Sequence, residues 1–507
     1  MIRIHSDFTG GNIRILQQNG NAYVLQNDLR TTAVDWFYWA FCVEGAAGET
    51  LRFTLSDNRI GHYGPAVSHD LRGWTWLGGY TGDGSFTYTF GEDENKVYFA
   101  HSMLYHPDRF AEFAAARGLV CEELCKSSKG RSVPCLSVGE GGTRIMLTAR
   151  HHACESPGSF VLEGLLDGLL AEPIPDTQLF AVPFVDYDGV VDGDQGKGRW
   201  PYDHNRDYAP EKESIYPECA AIRRAAEEGC HYAFDFHAPC HKNGGNDVAF
   251  IIHMNPDKEE RILRFGELLE ENLQPGAFPY RQKNDYPAEY GWNHGSAQFT
   301  NYMTRLPENE MAFTLETCYF GEPSHPVTEE GLLALGRSWA AALRRYITEQ
   351  RAGLIPQPEK RQVTLREVDA SNFEDCRGLR RVGKRFVGQP EAVLAEGYIY
   401  RENSRVYGIY NGDRVIGMVI ARVAPKEGSP YAFTDLFISD PWLNRGFGCA
   451  AVEALLELFR GLGKRDRVEI QVHETNSAAI RVYEKTGFET IGRAEWNRHF
   501  LVMEKTL

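Results

Sequence analysis

The sequence has no apolar run that approaches the roughly 20 residues needed to cross a bilayer. Its first residues carry no apolar stretch of the kind found in signal peptides, and no internal repeat or low-complexity tract follows. The eleven cysteines form no CxxC pair and show no regular spacing, which excludes a small disulfide-stapled protein. We therefore expect a cytoplasmic protein with reduced, mostly buried thiols and no membrane association.

Positive charge is also in short supply. The 54 Lys+Arg are outnumbered by 70 Asp+Glu, which gives a net charge of −16. The acidic excess lies in the first 362 residues, whereas 363–507 are close to neutral. Because an acidic surface repels polyanions, we expect no nucleic-acid partner. The composition, 42% hydrophobic and 24% charged, is typical of globular proteins, and 507 residues suggest about three domains.

The pattern of apolar residues changes along the chain. Residues 1–105 consist of short, alternating, aromatic-rich segments such as 35–41, with Gly and Asn/Asp turns between them, which predicts a β-sandwich. In 106–352, compact apolar strands alternate with helices, which predicts an α/β domain with a mixed sheet. A polar stretch with two prolines, 353–362, is typical of a linker. The remainder, 363–507, again combines strand and helix patterns.

Individual elements are predicted from periodicity and end signals. In the second region we expect a helix that starts at Pro157, with Ser156 as its N-cap. Beyond the linker, Asn411-Gly412 predicts a hairpin and Gly487 a left-handed helix end. The expected strands span 144–149, 178–185, 231–236, 311–315 and 431–438, and a further helix spans about 332–350.

Charged side chains follow three of these strands. His152 and Glu155 stand three apart just after the first strand, so one helical turn brings both to one face. His237 follows the strand ending at Phe236, and Glu316 ends another strand. Because sites in α/β sheets form beyond the carboxyl ends of strands, we expect these groups to meet at one edge. Imidazoles and a carboxylate are good zinc ligands, and three of them leave a position open for water.

The segment 191–208, with Asn205-Arg206 near its end, identifies a family. Together with the HxxE pair, it resembles the zinc metallocarboxypeptidases, specifically the cytosolic carboxypeptidase branch with an N-terminal β-domain, from near the N-terminus to about residue 350. The resemblance implies zinc bound by His152, Glu155 and His237. It also implies Asn205 and Arg206 on the substrate's terminal carboxylate, Arg199 on the scissile carbonyl, and Glu316 as general base.

Several positions around this site stay open. The family places a tyrosine towards the substrate, and three tyrosines compete for that role. Arg305 fits either an acidic-residue pocket or the surface, and Cys154 is interpreted as a packed thiol rather than a nucleophile. The competing tyrosines are Tyr286, Tyr290 and Tyr302, and the nearby histidines without a ligand role, in a second sphere or at the surface, are His151, His204 and His241.

A second motif lies after the linker. Residues 445–450, RGFGCA, open a helix whose apolar face runs through Val452 and Phe459, and such a turn presents N–H groups to a phosphate. With 476–488, NSAAIRVYEKTGF, the chain resembles the GNAT superfamily of N-acetyltransferases over about 363–505. The resemblance implies acetyl-CoA bound by Arg445, Gly446, Gly448, Ala450 and Asn476, with Tyr483 protonating the departing thiolate. Asp435 and Glu474 are both open candidates for the general base.

Together these patterns predict a multidomain chain with a β-sandwich, an α/β zinc-carboxypeptidase domain with a mixed sheet, and an α+β GNAT domain. The expected function is bifunctional: a zinc-dependent carboxypeptidase that removes the C-terminal residue of a peptide or peptide-like substrate, and an acetyl-CoA-dependent N-acetyltransferase acting on an amine. Two alternatives remain: a peptide- or amine-binding protein with one or both sites inactive, and a zinc amidase that cleaves a side-chain amide.

Overall fold

The computed structural model divides into two compact units, Met1–Ile355 and Pro356–Leu507. The junction falls within the predicted linker, of which 356–360 lie outside the described residues. The predicted boundary at 105/106 lies inside the first unit and stays a prediction. The described residues are 1–56, 60–79, 82–209, 211–238, 247–255, 258–286, 297–322, 324–355, 361–379, 386–439, 442 and 446–507.

The first unit begins with two packed β-sheets, of strand order β1-β4-β9-β6-β7 and β2-β3-β5-β8. Their strands are β1 Arg3–His5, β2 Arg14–Asn19, β3 Ala22–Gln26, β4 Ala40–Glu44, β5 Thr50–Leu55, β6 Ala66–Ser68, β7 Thr75–Trp76, β8 Ser85–Thr89 and β9 Lys96–Ala100. Phe41 and Val43 of β4 pack with Phe53 of the other sheet in one core. This shared core confirms the predicted β-sandwich.

Alternation along β4 joins that sandwich to the rest of the unit. Ala40 and Cys42 point to the opposite face of the sheet from Phe41, into the main core of the unit. The expectation of a strand over 35–41 is wrong for most of its length, because β4 starts only at Ala40. The preceding aromatic residues, Phe37 and Trp39, are buried in irregular backbone.

A seven-stranded mixed sheet follows, in the order β10-β11-β13-β12-β14-β16-β15. Its strands are β10 Glu122–Lys126, β11 Ser132–Val138, β12 Thr143–Ala149, β13 Thr177–Val182, β14 Tyr232–His237, β15 Phe250–His253 and β16 Met311–Glu316, and a ribbon adds β17 Gly321–Glu322 and β18 His325–Pro326. β13, β12, β14 and β16 are parallel, whereas β10, β11 and β15 join antiparallel, so the predicted mixed sheet is confirmed.

Seven helices occur in the described part of this unit: α1 Pro107–Ala115, α2 Pro157–Ala171, α3 Tyr187–Asp192, α4 Pro217–Glu227, α5 Glu259–Glu271, α6 Phe299–Met303 and α7 Glu329–Arg351. α2 starts at Pro157 as predicted, but Ser156 does not cap it with its side chain. The Ser156 hydroxyl instead donates to the carbonyl of Met103 at 2.6 Å. Among the described residues, no helix has the length and apolarity that a membrane span requires.

The second unit contains a four-stranded antiparallel sheet, β19-β20-β21-β22, and a three-stranded one, β23-β25-β24. Its elements are β19 Thr364–Glu367, α8 Phe373–Arg377, α9 Pro390–Ile399, β20 Arg405–Asn411, β21 Arg414–Arg422, β22 Ala432–Ile438, α10 Phe447–Leu462, β23 Arg467–His473, α11 Ser477–Lys485, β24 Glu489–Arg493 and β25 Phe500–Thr506. The two sheets are bridged between Tyr431 and Val468, beside the start of β22 and of β23. The hairpin at Asn411-Gly412 and the left-handed Gly487 are as predicted.

Candidate functional site

The first candidate site lies at one edge of the mixed sheet, where the parallel strands β12, β14 and β16 end. His152 follows β12 after a short turn, His237 is the last residue of β14, and Glu316 is the last residue of β16. The register pairs His237 with Glu316, so these two residues end neighbouring strands side by side. The structure therefore brings the predicted groups together at the carboxyl edge.

The three predicted metal ligands form one buried group. Ligand atoms of His152, Glu155 and His237 all lie within 4.8 Å of one another. Glu155 Oε1 lies 2.9 Å from His152 Nδ1, and Glu155 Oε2 lies 2.6 Å from His237 Nδ1. The Nε2 atom of His152 is buried and has no hydrogen-bond partner among the described residues. Two imidazoles and one carboxylate, with a buried nitrogen left over, fit a zinc site.

Asp235, which no sequence prediction singled out, contacts the predicted ligand His237. Its Oδ2 lies 2.6 Å from His237 Nε2, and its Oδ1 lies 2.9 Å from His151 Nδ1. His151 in turn reaches the Tyr208 hydroxyl at 2.9 Å, so it is buried in a second sphere. Although burial raises it, the pKa of Asp235 is held below its usual range by His151 and His237. The carboxylate therefore stays ionised and fixes the ring of His237.

Asn205 and Arg206 lie on one short 3-10 turn, which brings Asn205 to the predicted ligand His237. The Asn205 amide is buried: Nδ2 lies 3.3 Å from His237 Nε2, and Oδ1 accepts from the Phe299 N–H at 3.1 Å. Arg206 is exposed, donates to the Asn205 carbonyl at 2.9 Å, and has no ion pair with any residue the structure describes. Its guanidinium is thus available for a ligand, and it lines a cavity of about 220 Å³.

Glu316 has the properties that a general base requires. Its side chain is buried, and Oε2 makes no hydrogen bond within the described part of the chain. Burial raises the pKa of Glu316 to about 7, although the neighbouring His237 acts in the opposite direction. A carboxyl group poised near neutral pH can both take and release a proton there.

Arg199, whose predicted role on the scissile carbonyl stays a prediction, pairs with two carboxylates. Its guanidinium lies 2.8 Å from Asp186 Oδ2 and 3.1 Å from Asp194 Oδ2, and the whole cluster is nearly buried. Burial would raise the pKa of Asp186, but Arg199 holds it below its usual range. Arg199 therefore neutralises two carboxylates beside the site.

Among the residues that the structure describes, the lysine that contacts the predicted ligands is Lys197, which no sequence pattern singled out. Its ammonium lies 3.3 Å from His152 Nδ1 and 3.5 Å from Glu155 Oε1. Asp203 adds a carboxylate to the same group, with Oδ1 at 3.6 Å from His152 Nε2. No spacing rule marks either residue, because only the folded segment 193–203 brings them there.

The tyrosines that compete for a substrate-facing role are in different surroundings. The Tyr302 hydroxyl donates to Glu227 at 3.1 Å, so it is already engaged away from the ligands. Tyr286 packs its ring against Phe250, with centroids 5.0 Å apart. Tyr290 lies outside the described residues, and its role stays a prediction.

The remaining open positions lie in different surroundings. His204 is buried and stacks on Tyr216 with ring centroids 3.7 Å apart, while His241 lies outside the described residues. Arg305 is exposed. Cys154 is buried, and burial raises the pKa of its thiol to about 12, which suits a packed thiol rather than a nucleophile.

In the second unit, the glycine-rich turn opens α10. Gly446 is the N-cap residue with φ +78°, a left-handed conformation that favours glycine. A Cβ on Gly448 would lie 3.3 Å from Val482, so this glycine allows α10 and α11 to approach closely. Ala450 is buried in the first turn of α10. Arg445 lies outside the described residues, so its predicted contact stays a prediction.

Tyr483 and Asn476 lie on and before α11. The Tyr483 ring packs against Phe433 and Phe488, at centroid distances of 5.8 and 5.9 Å, and burial raises the pKa of its hydroxyl. That hydroxyl has no hydrogen bond to the rest of the described chain, which leaves it for a ligand. Asn476 Oδ1 accepts from the Ala479 N–H at 3.3 Å, so its side chain caps the helix.

The two general-base candidates differ in their partners. Glu474 is held by His499 Nδ1 at 2.7 Å and Arg493 Nη1 at 2.6 Å, which lower its pKa to about 2. Asp435 has φ +51° at an irregularity of β22 and accepts only from Thr434 within the described residues, at 2.9 Å. Of the two, Asp435 has fewer side-chain partners among the described residues.

Comparison with known proteins identifies both units. A family model described as the cytosolic carboxypeptidase N-terminal domain matches residues 4–101, and the acetyltransferase (GNAT) family model matches 374–488. An uncharacterised protein of Zymomonas mobilis, ZMO1242, is 30% identical over 46% of this chain and 67% of its own. Human cytosolic carboxypeptidase 6 is 23% identical over 55% of this chain and 61% of its own. The L-amino acid N-acetyltransferase AaaT of Escherichia coli is 22% identical over 26% of this chain and 85% of its own.

A solved structure supports the fold of the first unit. A metallo-carboxypeptidase from Burkholderia cenocepacia superimposes with a TM-score of 0.58 at 20% identity, covering 69% of this chain and 99% of its own. The chain spans less than two thirds of the human relative. The predicted fold classes and both family assignments are confirmed. The chain thus combines a region of the cytosolic carboxypeptidase N-terminal family and a unit with the fold of a metallo-carboxypeptidase with, after them, a GNAT acetyltransferase domain.

Proposed function

We propose that the first unit is a zinc carboxypeptidase. The observation that carries the proposal is the buried His152–Glu155–His237 group, with Glu316 next to it at the carboxyl edge of the sheet. Bound there, Zn²⁺ would supply Lewis-acid activation of water and of the scissile carbonyl. The ten described cysteines are free, which supports the expected reducing, cytoplasmic setting.

In this reaction the chain's own residues move one proton. Glu316 accepts it from the attacking water and passes it to the leaving amine, whose nitrogen departs from the acyl carbon. Arg206 and Asn205 bind the terminal carboxylate of the substrate, and a guanidinium can meet a carboxylate through two parallel hydrogen bonds. Because this contact needs a free chain end, it selects a carboxypeptidase over an amidase.

Purified full-length protein tests the proposal. Its metal content is measured, and peptides with varied C-terminal residues are incubated with it, with and without a chelator, and followed by mass spectrometry. We expect loss of single C-terminal residues, abolished by the chelator and by Glu316→Gln with zinc retained. Equal cleavage of C-terminally amidated peptides would favour the amidase instead, and bound zinc without turnover would favour a binding protein.

We propose that the second unit is an acetyl-CoA-dependent N-acetyltransferase. The left-handed Gly446 at the start of the 16-residue α10 supports binding of the cofactor's pyrophosphate. The Tyr483 hydroxyl, without a described hydrogen-bond partner, supports its role as the acid that protonates the thiolate. We expect Tyr483→Phe to slow the formation of free CoA from acetyl-CoA at least tenfold, while the affinity for CoA changes little. Equal rates in both proteins would exclude that role.

The acceptor amine that joins both reactions is a free amino acid. A carboxypeptidase releases one with a new α-amino group, and the named activity of AaaT is acetylation of L-amino acids. A peptide with an isotope-labelled C-terminal residue, incubated with acetyl-CoA, tests this directly. We expect the labelled N-acetyl amino acid from the wild type and none from Glu316→Gln. Labelled amino acid that stays unacetylated would refute the coupling.

A further inference from the structure

Lys197 is the only cationic side chain, among the residues described, that lies within hydrogen-bonding distance of the metal ligands. Its Nζ is 3.3 Å from His152 Nδ1 and 3.5 Å from Glu155 Oε1, and 28% of the side chain is exposed. The ammonium is thus held against the buried ligands, while part of the side chain reaches the surface.

The backbone fixes Lys197 in this position. It stands between Gly196 and Gly198, which have φ values of +73° and +58°. A Cβ on Gly196 would lie 2.2 Å from the Ala153 nitrogen, so the turn is pressed directly against the chain between the first two ligands. The Cys154 N–H also donates to the Gln195 carbonyl at 3.3 Å. These contacts hold the lysine on the ligand loop.

Arg199 is unsuited to stabilise a developing negative charge. Its guanidinium already contacts Asp186 and Asp194, at 2.8 and 3.1 Å, and these two carboxylates cancel its charge. To reach a substrate it would have to leave both carboxylates unpaired in a nearly buried environment, which is costly. Lys197, by contrast, carries a compact charge on a flexible stem.

We propose that Lys197, and not Arg199, is the catalytic residue that stabilises the oxyanion of the scissile carbonyl. The proposal rests on the carboxypeptidase function proposed above. When water adds, a C–O bond forms and the carbonyl π pair moves onto oxygen, where the ammonium of Lys197 faces it. When the C–N bond breaks, that pair re-forms the carbonyl, and Glu316 returns the proton to the amine. Lys197 keeps its own proton throughout.

The test compares Lys197→Met, Lys197→Arg and wild type as zinc-loaded full-length proteins. We expect Lys197→Met to retain wild-type zinc content, to lose kcat by about 100- to 1,000-fold, and to keep KM within about threefold. Its affinity for a phosphonate peptide, which mimics the tetrahedral oxyanion, should fall by a similar factor in calorimetry. The kcat of Lys197→Arg should be at least tenfold higher than that of Lys197→Met. Lys197→Gln replaces the methionine variant if that variant unfolds.

The opposite results are equally definite. If Lys197 only balances the charge of Glu155 before metal binds, Lys197→Met will match wild type in kcat and phosphonate affinity, which overturns the proposal. Loss of zinc from this variant would assign Lys197 to the ligand set and overturn it as well. A wild type without chelator-sensitive cleavage would overturn the carboxypeptidase function itself. A cleaving wild type beside an equally active Lys197→Met protein would overturn only the role of the lysine.

Discussion

Replacing Arg199 by methionine should destabilise the first unit severely. The substitution keeps an unbranched side chain of similar length but removes the charge that faces Asp186 and Asp194, whose side chains are only 1% and 11% exposed. Removing one partner of a buried ion pair typically costs about 3–5 kcal/mol, because the remaining charge is left unpaired. We expect a loss in that range, although Arg30 still lies 3.1 Å from Asp194 and limits it.

Urea unfolding monitored by tryptophan fluorescence measures this loss, since most tryptophans lie in the first unit. Arg206→Met is the matched control: its side chain is exposed, so its free energy of unfolding should change by less than about 0.5 kcal/mol. Adding Asp186→Asn to Arg199→Met should restore part of the stability, because it removes an unpaired charge. If Arg199→Met alone costs under about 1 kcal/mol, the reasoning on this cluster is wrong.

Three further outcomes follow from other contacts. Asp235→Asn should lower zinc affinity about 10- to 100-fold in chelator competition, and an unchanged affinity would contradict its hold on the ligand ring. Burial lowers the pKa of His106 to about 3, against about 6.5 when unfolded, so its contribution to stability is complete above pH 6.5 and is lost as pH falls towards 3. His106→Gln should flatten the acid dependence of the urea midpoint, and an unaltered slope would refute this. Gly164→Ala places a Cβ 2.1 Å from the Leu333 carbonyl and should cost at least about 1–3 kcal/mol, whereas Gly461→Ala, in open space on α10, should stabilise its unit by about 0.5–1 kcal/mol. Equal effects of the two alanines on thermal unfolding would contradict the packing argument.

The strands that end at the candidate site could be predicted because the sequence patterns that mark them are local. Apolar runs mark β12, β14 and β16, and the parallel arrangement then forces His152, His237 and Glu316 to one edge. Asp235 could have been found by the same logic. It stands two residues before His237, and alternate residues of a strand share a face.

Lys197 could not have been chosen over Arg199 from the sequence. Both are cations within a few residues of Asn205, and spacing alone favours neither. The choice depends on two left-handed glycines that turn Lys197 towards the ligands. It also depends on two carboxylates that pair with Arg199: Asp186, the N-cap residue of α3, and Asp194, in the turn after that helix. The strand prediction for the aromatic run before Ala40 was wrong for a related reason. Buried aromatic rings can pack from irregular backbone as well as from a strand.

The turn that carries Lys197 and Arg199 is built from both regions of the first unit. Asn12 donates to the Gly193 carbonyl at 2.7 Å, Arg30 pairs with Asp194, and the Tyr38 N–H donates to Gln195 at 2.8 Å. These partners come from the β-sandwich region, which the sequence presents as a separate domain. A loop rich in glycine would lose much conformational entropy on adopting this shape alone. The sandwich region therefore shapes the proposed hydrolytic site directly, since its backbone and side chains hold the loop on which the proposed catalytic cation stands.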